Sequence, residues 1–280
     1  MAVEKEPKRG LRRAAVNVES AFDKTKAEGR AALVGYLPAG FPTVEDSIVA
    51  IDTMIDAGVD IVEIGMPYSD PVMDGPAIQT ASQQALDAGF RTSDLFTVLD
   101  EVSGRVPILV MTYWNLVERY GVRRFGHDLA SCGGAGLITP DLIPEEAGEW
   151  MKASERYDLD RVFLVAPSST PARLKSTCEA SRGFVYAQSV MGVTGARHST
   201  SSAAPDLVRR TRDVTDLPIG VGLGVSNGEQ AAEVAAFADA VIVGSALINC
   251  LHDVDAATGR QQLADLTADL ASGVANATVV

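Results

Sequence analysis

Short, mostly continuous apolar runs recur along the chain, separated by longer stretches in which apolar residues return every three or four positions. The short runs read as strands at about 32–36, 60–65, 107–111, 134–138, 161–165, 184–188, 218–222 and 240–243. A strand that is apolar at successive positions is expected to be covered on both faces, as in a parallel sheet, whereas one wet face would impose alternation. The longer stretches read as amphipathic helices. Over 44–57 the apolar residues fall at 48, 51, 54 and 55, and Gly58 supplies the stop. Further helices are predicted over 76–88, 93–102, 144–156, 171–180, 204–214, 228–237 and 257–275. Asp141-Leu142-Ile143-Pro144 and Thr170-Pro171 read as helix starts, a capping side chain followed by proline in the first turn.

Eight strands, each followed by a helix, in about 250 residues is the count of a (β/α)8 TIM barrel. A doubly wound open sheet is the competing architecture. It would call for fewer strands or a second domain, and no linker or composition break divides this chain. The expected organisation is a single-domain α/β barrel over 16–280 with an extra N-terminal helix, preceded by a flexible basic tail over 1–15.

Composition narrows the partners. Of 280 residues 46% are hydrophobic, enough for a sizeable core. The net charge of -13 and pI of about 4.7 repel nucleic acid and anionic membrane, so neither is an expected partner. The stretch from Lys5 to Arg13 holds five of the 24 Lys and Arg, a short solvated leader beside an acidic body. Cys132, Cys178 and Cys250 are far apart, odd in number and form no CxxC. They offer neither a disulfide framework nor a zinc signature, which fits a reducing cytoplasm. The N-terminus carries no apolar core of a secretory signal, and no apolar run approaches the roughly 20 residues that span a bilayer.

A barrel of this kind does its chemistry at the C-terminal ends of its strands. Those ends hold Tyr36, Glu63, Tyr113, Asn115 and Tyr186, and then three glycine-rich loops. Met191-Gly192-Val193-Thr194-Gly195 follows the sixth run, Gly220-Val221-Gly222-Leu223-Gly224-Val225-Ser226 spans the end of the seventh, and Gly244-Ser245-Ala246-Leu247 follows the eighth. Glycine lets backbone N–H groups approach an anion, and a helix start adds a favourable dipole. Tight turns explain any one such loop. Three at one end of a barrel predict a phosphate site, with Ser245 as a hydroxyl donor.

Glu63 is the anomaly, a carboxylate inside the apolar run Asp60-Ile61-Val62-Glu63-Ile64-Gly65. In apolar surroundings its pKa rises, which suits acid–base work near neutral pH. Taken singly, Glu63 would be a structural ion pair and Asp74 a turn residue before Gly75. Together, at the mouth of a barrel, they point to catalysis. Asp70, before Pro71, reads as a turn or cap residue.

None of the six lysines (5, 8, 24, 26, 152, 175) ends a predicted strand, so a Schiff base has no nucleophile. Histidines 127, 198 and 252 are not grouped, so no metal-dependent aldol site is expected. No GxGxxG follows the first strand and no P-loop lysine is present. There remains carboxylate chemistry on a phosphorylated small molecule, with no metal and no cofactor in this chain. A barrel that binds phosphate metabolites without chemistry, or a different phosphate-binding barrel enzyme, stands as the alternative.

The stretch Glu63-Ile64-Gly65-Met66-Pro67-Tyr68-Ser69-Asp70-Pro71-Val72-Met73-Asp74-Gly75-Pro76 resembles the signature of the tryptophan synthase α subunit family. So do Gly40-Phe41-Pro42-Thr43, Gly192-Val193-Thr194-Gly195, Gly222-Leu223-Gly224-Val225-Ser226 and Gly244-Ser245-Ala246. The resemblance runs from about residue 18 to near the C-terminus. It implies retro-aldol cleavage of indole-3-glycerol phosphate to indole and glyceraldehyde 3-phosphate. Glu63 matches the acid–base glutamate, and Asp74 the aspartate that holds the indole N–H. Tyr36, Tyr113 and Tyr186 match residues that line the substrate pocket, and Thr194 matches the residue that meets the aspartate loop when the lid closes. Gly195, Gly224, Gly244 and Ser245 match the phosphate site. The lid opens with Val190-Met191 where better-known members carry Arg-Ser. The resemblance also implies an αββα heterotetramer with a β subunit, which holds pyridoxal phosphate and receives indole through a tunnel.

Overall fold

Every second residue of the apolar runs faces the inside of a ring and the others face a shell of helices, which is why the runs show no alternation. In this computed structural model, which describes residues 16–188 and 203–277, nine strands pair in parallel. They are β1 (Ala32–Pro38), β2 (Ile61–Gly65), β3 (Ile108–Met111), β4 (Gly136–Ile138), β5 (Asp160–Val162), β6 (Leu164–Val165), β7 (Val185–Gln188), β8 (Ile219–Gly222) and β9 (Ala240–Val243). The hydrogen-bonded order is β5-β4-β3-β2-β1-β9-β8-β7-β6. β5 and β6 are the two halves of the run expected over 161–165, parted at the buried Phe163. β5 pairs with β4 and β6 with β7, so this one broken strand nearly closes an eight-position barrel. The TIM barrel is what the structure shows; the open sheet is not.

Around the ring lie α2 (Val44–Asp56), α3 (Pro76–Asp87), α4 (Thr92–Val102), α5 (Trp114–Tyr120), α6 (Val122–Ser131), α7 (Gly148–Tyr157), α8 (Pro171–Ala180), α9 (Ala203–Arg212), α10 (Gly228–Ala235), α11 (Ser245–Asn249) and α12 (Ala256–Ala275). The extra helix, α1 (Val18–Ala27), is capped by Asn17, whose side chain accepts the Ser20 N–H at 2.7 Å. Its Val18, Ala21 and Phe22 join Ala32, Val34, Ile61, Leu109, Ile138, Val162, Phe184 and Ile242 in one buried cluster. The Phe22 and Phe184 rings lie 5.8 Å apart. α1 therefore covers the N-terminal mouth of the barrel with apolar side chains. Completely burying an aliphatic or aromatic side chain contributes about 1.5–3 kcal/mol, so this interior layer is a main stabilising element.

Two local expectations are corrected. The helix over 144–156 starts later, at Gly148, and Asp141 does not cap it. The Asp141 carboxylate instead accepts the Trp114 N–H, at 2.9 and 3.1 Å, and so caps α5 from the neighbouring loop. Helices α5 and α6 are not among the expected helices; Gly121, at φ 97°, divides the stretch into two short pieces. Among the described residues no helix is long and apolar enough to cross a membrane. The basic tail, Val190-Met191, Thr194 and Gly195 lie outside the described residues.

Candidate active site

The interior face explains Glu63. Along β1 the inward residues are Ala32, Val34 and Tyr36; along β2 they are Ile61 and Glu63, and along β7 and the residue before it, Phe184 and Tyr186. The lower layer is apolar, and the layer above it is polar. Tyr36 and Glu63 are direct partners across the β1–β2 ladder. Glu63 is 1% exposed, and among the described residues its Oε2 has no hydrogen-bond partner. Burial, and then the nearby Asp74 carboxylate, push its pKa from 4.5 to about 8. A buried acceptor without a partner is costly, and such strain is typical of a group kept for chemistry.

Asp74 reaches the same space from the loop between β2 and α3. Pro76 opens α3 at its first turn, which fixes the end of that loop. The Gln79 side chain donates to the Asp74 carbonyl at 2.7 Å and holds the backbone. Burial raises the Asp74 pKa, and a hydrogen bond from Tyr113 opposes the rise. The Tyr113 hydroxyl donates to Asp74 Oδ1 at 3.2 Å and accepts the Met73 N–H at 3.1 Å. Burial, with Asp74 beside it, pushes the Tyr113 phenol up to about 12. Tyr36 and Tyr186 are driven well above the usual phenol range by burial and by the two carboxylates, so both stay neutral donors. Asp70 is exposed and accepts from the Ser69 hydroxyl, the turn role expected for it.

The structure thus gathers Glu63, Asp74, Tyr36, Tyr113 and Tyr186 around one space. The glycine loops border it. A Cβ on Gly222 would lie 2.7 Å from the Tyr186 hydroxyl, and one on Gly244 would lie 3.2 Å from Tyr36 Cδ1. Gly224 follows at φ 72°, a conformation that favours glycine, and Ser245 is the first residue of α11. Gly224, Gly244 and Ser245 are all partly exposed at this mouth. Gly65 has a role not read from the sequence: any Cβ there would overlap the Tyr36 phenol. A glycine ending a buried strand was the available signal, because it marks a close approach. Gly65→Ala is expected to expel the Tyr36 ring, cost roughly 1–3 kcal/mol in a urea melt and sharply reduce turnover.

The family model described as tryptophan synthase alpha chain matches residues 22–278. The tryptophan synthase alpha chain of Salinispora arenicola is 60% identical over 256 residues, 91% of this chain and 96% of that protein. The one from Mycobacterium marinum is 57% identical, over 90% of this chain and 93% of its own length. A solved structure of Mycobacterium tuberculosis tryptophan synthase aligns with a TM-score of 0.87 at 54% identity, covering 92% of this chain and 98% of that one. The alpha chain from Legionella pneumophila aligns at 0.85 with only 27% identity, over 94% and 98%. Barrel and sequence signature agree along nearly the whole length, and the chain belongs to the tryptophan synthase alpha chain family.

Proposed function

We propose that the chain cleaves indole-3-glycerol phosphate to indole and glyceraldehyde 3-phosphate, with Glu63 as the acid–base group and Asp74 as the counter-ion of the indole nitrogen. The observation that carries the assignment is a desolvated glutamate with an unpartnered oxygen facing a second carboxylate held by a phenol. With a pKa of about 8, Glu63 is mostly protonated at neutral pH and is a proton donor. It gives that proton to the ring carbon that bears the glycerol chain, and positive charge develops on the ring nitrogen. Asp74, kept ionised by the Tyr113 hydrogen bond, stabilises that charge in a medium of low dielectric. Glu63, now a carboxylate, takes the proton of the glycerol hydroxyl. The carbon–carbon bond breaks, its electron pair returns to the ring, and the hydroxyl carbon becomes the aldehyde. Glu63 ends protonated, as it began. Two carboxylates in different surroundings divide the labour.

In this reading Tyr36, Tyr113, Tyr186 and Thr194 line the indole and glycerol pocket. Backbone N–H groups near Gly195, Gly224 and Gly244, with the Ser245 hydroxyl, hold the phosphate. The partner is a β subunit, in an αββα assembly through which indole passes. Val72, 72% exposed on the Asp74 loop, and Ile143, 42% exposed on the loop after β4, offer apolar surface at that mouth. Pyridoxal phosphate belongs to that partner. The described lysines lie on α1, α7 and α8, outside the site. A cytoplasmic location completes the reading.

The test is indole release from indole-3-glycerol phosphate by the chain alone and with a β subunit added. Slow release alone that rises strongly with β is expected. No release in either case from folded protein would overturn the assignment.

A further inference from the structure

A line of contacts runs from the loop after β3 into the loop that carries Asp74. Asn115, the second residue of α5, donates from Nδ2 to the Tyr68 hydroxyl at 3.2 Å. The Tyr68 ring lies against the Tyr113 ring, with centroids 5.1 Å apart and planes inclined by 34°. Tyr113 is 5% exposed, and its hydroxyl bridges the Met73 N–H and the Asp74 carboxylate. We propose that Tyr68 and Tyr113 are positioning residues for Asp74, a two-ring strut anchored at Asn115 that fixes where the carboxylate points.

A phenol has one proton. With the Met73 N–H directed at the Tyr113 oxygen, that proton is left for Asp74 Oδ1. The stacked Tyr68 ring limits the swing of Tyr113, and Asn115 limits the swing of Tyr68. The loop from Met66 to Gly75 has no helix or strand of its own, so this strut supplies the rigidity that a catalytic carboxylate needs. The groups that face Asp74 are Glu63 on β2, Tyr36 on β1 and Tyr186 on β7, each neutral or negative. Among the described residues the Tyr113 hydroxyl is thus the contact that favours the ionised form of Asp74.

The inference rests on the lyase reading, so its test has a readout independent of turnover. Side-chain carboxyl resonances of the full-length, carbon-13-labelled chain are followed against pH, with the Asp74 signal assigned by its loss in Asp74→Asn. Tyr113→Phe removes one oxygen and leaves no large cavity. It is expected to raise the Asp74 midpoint by about one pH unit. Tyr68→Phe is expected to raise it less, in the same direction. In assays with the β subunit, Tyr113→Phe should lower kcat roughly ten- to hundredfold, with KM changed far less. An Asp74 midpoint unmoved in both variants would overturn the strut, whatever happens to turnover. Shifted midpoints in a chain that releases no indole would uphold the strut and refute the lyase reading.

Discussion

Glu63→Gln is expected to abolish indole release and to make the protein more stable. Loss of the proposed acid–base group should lower kcat by about 10²–10⁴-fold, because the isosteric amide neither gives nor takes a proton under these conditions. The stability gain follows from burial. Glu63 is 1% exposed and titrates near 8 in the folded chain against 4.5 when free. Between those values the folded state binds more protons than the unfolded one, so stability falls as pH rises. At about 1.36 kcal/mol per pH unit the full penalty approaches roughly 5 kcal/mol above pH 8, and relaxation reduces it. Gln carries no such slope. The two proteins should melt alike near pH 4.5 and diverge with increasing pH, the variant melting several degrees higher at pH 9. Thermal melts across that range check the claim; parallel curves would place a partner on Glu63 that satisfies its charge. In the wild type the same ionisation should give kcat/KM an alkaline limb near pH 8, because the donor form is lost there.

Asp74→Asn is expected to lower kcat by about 10²–10³-fold while the fold persists. The amide oxygen can still accept the Tyr113 hydrogen bond, so the loop keeps its anchor. What disappears is the negative charge that the proposed mechanism sets opposite the ring nitrogen. That charge matters most in the transition state, so the loss should fall on kcat rather than KM. Acidification should mimic the variant, since wild-type activity falls as Asp74 protonates, at a pH above the ordinary aspartate value. A variant with near wild-type kcat would leave Asp74 a loop residue and move the counter-ion role elsewhere. Single-turnover measurement of indole release separates the chemical step from substrate binding.

The strands were legible because burial on both faces writes itself as unbroken apolar runs. The run over 240–243 is the observed β9 residue for residue, and 171–180 is the observed α8. Glu63 was legible because a carboxylate in such a run, with a second acid in the loop that follows, stands out from the apolar pattern. The failures have physical causes as well. The break at Phe163 shows only in the pairing, β5 with β4 and β6 with β7, so 161–165 reads as one strand in the sequence. Asp141 looked like the cap of the helix after it because capping is judged along the chain, whereas here the orphan N–H belongs to α5 on a neighbouring loop. The pocket tyrosines were named singly, but their mutual arrangement was not. Neither the Tyr68–Tyr113 stack nor the fit of Tyr36 over Gly65 has a sequence period to reveal it.

The sequence alone determined the architecture and singled out the glycine-rich strand ends and the two carboxylates that stand out, because hydrophobic periodicity and residue chemistry are local properties. The tertiary structure alone decided that Glu63 is buried with one carboxylate oxygen unpartnered among the described residues, that Asp74 is tied to a phenol some forty positions away, and that glycines at 65 and 222 make room for tyrosine rings. Desolvation, hydrogen-bond geometry and close packing depend on which distant segments meet, and those meetings exist only once the barrel has closed.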